Sequence, residues 1–195
     1  MKRVVLPILI LFCFQFSVNA QGAAEGLFIG SRAPNFIAKD QNGNDVHLKE
    51  LLKKGKVVLV FYRGYWSPYC IKELARLQDS LSLIQEKGAT VVAVSPESIV
   101  SRDSTLIKSN AGFALLNDSA SLIMKKYSVD YTLSNDEQAR YRSSGLDLNK
   151  INGANGPVLP VPAVYIIDKE FNITYRFFEQ NFRKRPSVAN LLENL

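Results

Sequence analysis

The residues best placed to do chemistry lie in Phe61-Tyr62-Arg63-Gly64-Tyr65-Trp66-Ser67-Pro68-Tyr69-Cys70, where an apolar run gives way to a helical pattern. Serine favours the N-cap of a helix and proline its first position, so Ser67 and Pro68 place Cys70 in the first turn. Unpaired backbone N–H groups and the positive end of the helix dipole favour thiolate over thiol there, and the thiolate is the nucleophile. Ser67 either caps the Cys70 amide or presents its hydroxyl to the sulfur and a bound oxidant. The always-ionised fork of Arg63 is suited to stabilise a thiolate and to polarise an oxygen developing charge. Tyr62, Tyr65 and Trp66 shape an apolar mouth or belong to the core. Glu73, one turn beyond Cys70, faces solvent or pairs with an arginine.

The chain holds two cysteines, Cys13 and Cys70. Lys2 and Arg3, the apolar run Val4 to Phe16 and the small-residue ending Ser17-Val18-Asn19-Ala20 read as a signal peptide spanning residues 1–20. That apolar run is shorter than the roughly 20 residues a bilayer demands. No stable membrane insertion is expected. Cleavage near Ala20 exports the protein to the periplasm or beyond, and it removes Cys13. Cys70 is then the sole thiol. It cannot staple the fold, and a Cys-X-X-Cys cycle is closed to it because Ser67 stands where the attacking cysteine would be.

The formal charge of +6 falls by two with the loss of Lys2 and Arg3, and the remaining basic residues are scattered. Nucleic-acid binding is not indicated. Arg183-Lys184-Arg185, the one tight cluster, reads as a solvated turn. His47 is the only histidine and has no cysteine or carboxylate neighbours at ligand spacing, so neither a metal nor another cofactor is expected.

Positioning Cys70 requires a strand before it and a helix after it. Val57 to Tyr62 is a β-branched and aromatic run typical of a strand buried on both faces. Cys70, Leu74, Leu77, Leu81 and Ile84 then fall on one side of a helix predicted to run from Ser67 to Gly88. Thr90 to Val94 resumes the strand, which makes a parallel crossover unit.

Asn35 to Ala38 and Asp45 to Leu48 flank an Asn-Gly hairpin turn, with a short helix over Lys49 to Lys54. Further along, the pattern predicts a helix from Ile99 to Ser109, a strand from Phe113 to Leu116 and a helix from Ser119 to Tyr127. A capping box at Ser134 opens another helix, and residues 149–160 read as a loop. Strands at Ala163 to Ile167 and Ile173 to Phe178 form a hairpin, and a last helix starts at Pro186 or Ser187. Residues 1–20 are thus the signal peptide, 21–30 a leader and 31–195 one α/β domain.

The active segment, with Glu73-Leu74, Val94-Ser95-Pro96, Leu115-Leu116-Asn117-Asp118 and Leu159-Pro160-Val161-Pro162-Ala163, resembles the peroxiredoxin-like branch of the alkyl hydroperoxide reductase and thiol-specific antioxidant family. The resemblance runs from about Gly30 to Leu195. It implies a thioredoxin-like three-layer sandwich with a central mixed sheet flanked by helices, and Cys70 as peroxidatic cysteine. Hydrogen peroxide or an organic hydroperoxide is the implied substrate. A thioredoxin-like protein or other external thiol is the implied reductant, because no resolving cysteine remains.

On this resemblance Cys70 and Ser67 are catalytic, and Pro162 is expected to contact substrate. The family usually has proline where Arg63 stands, so the catalytic reading of Arg63 and the substrate contacts of Tyr62 and Trp66 come from the residues themselves. Pro162 matches a position that usually holds a cis proline. The family's two arginines, near Pro162 and near Ser121 or Leu122, are absent, which leaves Arg63 to supply their charge. A homodimer is compatible with all of this. The rival reading is a non-catalytic thioredoxin-fold redox sensor or partner-binding module.

Overall fold

The computed structural model describes residues 24–195. The expected signal peptide, Cys13 and the start of the expected leader lie outside the described residues. An antiparallel hairpin of β1 (Ile37–Lys39) and β2 (Asp45–His47) leads into α1 (Leu48–Lys54). The chain then runs through β3 (Lys56–Phe61), α2 (Pro68–Asp79), α3 (Leu81–Glu86), β4 (Ala89–Ser95), α4 (Ile99–Ser109) and β5 (Ala114–Asn117). Next come α5 (Leu122–Lys126), β6 (Asp130–Thr132), α6 (Asn135–Ser143), α7 (Leu148–Asn152) and β7 (Val158–Pro160). The chain finishes with β8 (Ala163–Ile167), β9 (Ile173–Phe178) and α8 (Val188–Asn194).

The central sheet has the order β5-β4-β3-β8-β9. β3 pairs parallel with β4 and antiparallel with β8, so the sheet is mixed. Side chains alternate across β3 because successive Cβ atoms point to opposite faces. Val57, Leu59 and Phe61 join one core with Leu52 of α1 and Met124 of α5. Val58, Val60 and Tyr62 join the other with Cys70, Leu74 and Leu77 of α2, Ile84 of α3 and Leu191 of α8. Helices therefore cover both faces, and Cys70 sits in the second core layer. A smaller cluster of Leu133, Leu148, Ile151 and Leu159 packs with Trp66, Tyr131 and Tyr141 beside the strand ends.

Three elements differ from the sequence-based expectation. The helix after Cys70 breaks at Ser80, whose backbone (φ −108°, ψ 12°) leaves the helical region while its N–H still bonds the Arg76 carbonyl. The apolar stripe continues across the break, which is why periodicity alone shows one helix. The helix expected from Ser119 starts properly only at Leu122, because Ala120 and Ser121 both have positive φ. Asp118 reaches across that kink to accept the N–H groups of Ile123 and Met124 at 2.8 Å each. Residues 149–160 contain α7 and β7 rather than a loop, since Asn152 and Asn155 side chains tie the segment to the carbonyls of Val158, Pro96 and Asp118.

Gly55, which ends α1, carries a testable packing demand. A Cβ there would lie 2.0 Å from the Gly88 carbonyl oxygen. That oxygen already accepts the Lys56 N–H at 3.2 Å and cannot retreat without losing the bond. Gly55→Ala is expected to cost about 2 kcal/mol of stability, read as a lowered denaturant midpoint at unchanged slope.

Candidate active site

Ser67 is the N-cap of α2, Pro68 is its first residue, and the Ser67 hydroxyl accepts the Cys70 N–H at 3.4 Å. Since the hydroxyl oxygen accepts that bond, its own hydrogen is left to donate. The Cys70 side chain points inward from this first turn and is fully buried. Its surroundings are nevertheless polar on one side. The Arg63 backbone N–H reaches Cys70 Sγ at 3.4 Å, and Arg185 Nη2 reaches it at 3.2 Å.

Arg185 corrects the reading of the basic cluster as a solvated turn. Its side chain is only 3% exposed. Nε bonds Glu73 Oε2 at 2.5 Å, while Nη1 donates to the carbonyls of Phe182 at 2.7 Å and Lys184 at 2.6 Å. The guanidinium thus joins the active sulfur to α2 and to its own segment, residues 179–187, which lies as a strap over Cys70. Desolvation works against its charge, but Glu73 and Cys70 outweigh that and raise its proton affinity further. Burial lifts the Glu73 carboxyl to about 7, with Arg185 pulling it back toward the ionised form.

Arg63 departs from its expected role in one respect. Its backbone, not its fork, contacts the sulfur. The guanidinium is bonded to the Tyr141 hydroxyl and lies 5.1 Å from the Trp66 ring centroid and 4.9 Å from that of Phe182. Three aromatic rings therefore hold it to one side of Cys70.

Tyr62 is fully buried in the core, so it shapes no mouth. Trp66 packs edge-on against Tyr141. Pro162 lines a cavity of about 390 Å³ together with Arg63, Tyr131, Tyr141, Val161 and Phe182. A larger cavity of about 590 Å³, floored by Arg102, includes neither Cys70 nor Arg185.

The Val161–Pro162 bond is not cis; no cis peptide occurs among the described residues. The Val161 N–H bonds the Val129 carbonyl at 2.7 Å and the Pro162 carbonyl accepts from Glu179 at 3.3 Å, which keeps the segment extended. Among the described residues Cys70 is the one free cysteine, and no cluster of three or more His, Cys, Asp or Glu side chains is placed to hold a metal. No helix among them is long and apolar enough to cross a membrane.

Residues 29–176 match the AhpC/TSA family, which accounts for the segment from the first β-hairpin to the last sheet strand. The chain belongs to this family. Over 165 residues it is 36% identical to chloroplastic peroxiredoxin Q of Triticum aestivum, covering 84% of this chain and 64% of that relative. The chain therefore spans less than two thirds of that relative's length. Among solved structures it resembles the peroxidoxin BcpB from Mycobacterium tuberculosis, with a TM-score of 0.65 at 20% identity, covering 85% of this chain and 92% of the other. It also resembles a yeast mitochondrial 1-Cys peroxiredoxin, with a TM-score of 0.65 at 18% identity over 85% of this chain and 73% of the other.

These likenesses establish the thioredoxin-like fold of the AhpC/TSA family: a mixed five-stranded sheet between helices. Within it Arg185 is the residue on Cys70 Sγ that sequence spacing does not reveal. One local signal was available. Glu73 lies on α2 next to the buried stripe of Cys70, Leu74 and Leu77, so its carboxylate calls for a buried cation from elsewhere in the chain.

Proposed function

We propose that this protein is a thiol peroxidase that reduces hydrogen peroxide or organic hydroperoxides through Cys70 alone. The observation that carries the proposal is the Arg185 guanidinium 3.2 Å from Cys70 Sγ, at a helix start where the Arg63 N–H also points at the sulfur. Both donors favour the thiolate, and both can stabilise charge that spreads onto oxygen in the transition state.

In the proposed step the thiolate attacks the terminal peroxide oxygen. An S–O bond forms as the O–O bond breaks, and the sulfur loses two electrons to the peroxide. The terminal oxygen keeps its proton and becomes the sulfenic acid of Cys70. The departing alkoxide or hydroxide takes a proton from solvent, giving an alcohol or water. Arg185 and the Arg63 N–H are the donors on the sulfur, Ser67 caps the helix turn that carries it, and Arg63 and Pro162 line the neighbouring cavity. An external thiol then condenses with the sulfenic acid and expels water, and a second thiol releases the mixed disulfide. A thioredoxin-like reductant fits this scheme; the yeast 1-Cys relative is described with glutathione and thioredoxin systems.

Because Cys70 is fully buried, the strap of residues 179–187 must open for oxidant and reductant to reach it. Its side chains make opening feasible: Phe182 and Tyr69 meet edge-on with centroids 6.0 Å apart, and both are more than a third exposed. Export after cleavage near Ala20 is part of the proposal, as is a homodimer compatible with the exposed surface.

The burial of Cys70 is also what favours the rival reading, a redox sensor or binding module without turnover. Turnover separates the two, since a sensor also forms a sulfenic acid once. With excess hydrogen peroxide and dithiothreitol, consumption of many equivalents of peroxide per Cys70, absent in Cys70→Ser, is the expected result. Consumption that stops at one equivalent would leave the rival standing.

A further inference from the structure

The Arg63 N–H reaches the sulfur only because the turn of residues 62–67 holds its shape, and part of what holds it lies outside the site described above. Glu97, at the end of β4, is fully buried. Its Oε1 accepts the Tyr65 N–H at 2.8 Å. Oε2 accepts the hydroxyls of Thr105, on α4, at 2.8 Å and of Ser95 at 3.3 Å. The Glu97 carbonyl is bonded in turn by Asn117 Nδ2 at 2.5 Å.

We propose that Glu97 is a positioning residue, a buried strut between α4 and the 62–67 turn that aims the Arg63 N–H at Cys70 Sγ. The inference rests on the reading of Cys70 as the reacting sulfur. No salt bridge offsets the Glu97 charge among the described residues. A buried carboxylate without a cation is costly, and an apolar side chain of similar size would pack there at less expense. What the carboxylate provides instead is two oxygens set apart at the right distance to bond a helix hydroxyl and a loop amide together.

The turn is shaped to receive it. Gly64 has φ +144°, which only glycine adopts freely, and a Cβ there would lie 2.7 Å from Trp66 Nε1 and 3.1 Å from Glu97 Oε1. The Ser67 N–H closes the turn on the Gly64 carbonyl at 3.1 Å. The fully buried Tyr62 hydroxyl stands against the same carboxylate, so the pocket around Glu97 holds a further buried donor.

Glu97→Gln keeps an oxygen for the Tyr65 N–H, and Thr105 and Ser95 can each turn to accept from the new amide. Glu97→Ala removes the strut. Two measurements on each variant decide the matter: the fraction of Cys70 present as thiolate at neutral pH, from ultraviolet absorbance corrected with Cys70→Ser, and the rate of oxidation by hydrogen peroxide. Glu97→Ala is expected to lower both by about tenfold, and Glu97→Gln to restore them to within about threefold of the parent.

A folded Glu97→Ala protein with parental values overturns the proposal, as does a Glu97→Gln protein that falls equally far. If Glu97→Ala does not fold, Thr105→Val decides: a drop in both readouts supports the strut, and parental values overturn it. Should the parent itself oxidise no faster than free cysteine, the peroxidase reading fails, yet the thiolate measurement still judges Glu97.

Discussion

Arg185→Met is expected to slow the oxidation of Cys70 by peroxide about 100-fold, the scale seen when one preorganised donor is removed from developing charge. The same substitution strips Glu73 of its partner. Glu73 is buried and bonded to Arg185 at 2.5 Å, so the single variant should also lose about 3–5 kcal/mol of stability. A slow, poorly folded protein would say little about catalysis. Glu73→Gln combined with Arg185→Met removes the stranded charge and keeps the volume, and it should regain most of the stability while staying about 100-fold slow. Denaturant melts and single-turnover oxidation, measured on the same samples, check both halves. A double variant that recovers stability and rate together would mean that Arg185 serves the fold and not the sulfur.

Between about pH 5 and about pH 8 the folded protein is expected to lose stability, on the order of 3 kcal/mol. Burial raises the carboxyls of Glu73 to about 7 and of Asp118 to about 6, and it raises Glu97 as well. Each raised acid holds its proton more tightly folded than unfolded. Its contribution is therefore complete below the unfolded value and declines until the pH has passed the folded one, so the loss for these two sites runs up to about pH 6 for Asp118 and about pH 7 for Glu73 and levels off above that.

Asp40, Glu50, Glu137 and Glu179 are shifted downward, and their linkage runs the other way. Glu50, Glu137 and Glu179 lie at the surface, where solvent and salt screen them, and all four act at more acidic pH than this window. Thermal unfolding across the window tests the slope, and Glu73→Gln should make it shallower. A midpoint that rises steadily with pH would contradict the assignment of these buried acids.

The local features of the site were legible because they depend on near neighbours in the sequence. Ser67 and Pro68 announce a helix start by their capping and φ preferences, and α2 begins where they say. The β-branched run of β3 and the capping box at Ser134 likewise encode their own geometry. The parts that were missed depend on distant partners. Arg185 meets Cys70 across 115 residues and Glu73 across 112, and nothing in Arg183-Lys184-Arg185 distinguishes an inward arginine from two solvated neighbours. Adjacency to the strand places the Arg63 backbone on the sulfur. Adjacency does not determine where a long side chain points, and Trp66, Tyr141 and Phe182 draw this one away. The Asn-rich stretch of residues 149–160 forms α7 and β7 only because remote carbonyls receive its amides.

The central claim is that a single sulfur, held by Arg185 and the Arg63 N–H at the start of α2, reacts rapidly with peroxide once the strap opens. Trp66, the only tryptophan, lies four residues before Cys70 and provides a fluorescence signal for stopped-flow mixing with hydrogen peroxide. A second-order oxidation about 1000-fold faster than that of free cysteine, absent in Cys70→Ser, is the predicted result. A parent protein that reacts no faster than free cysteine would contradict it.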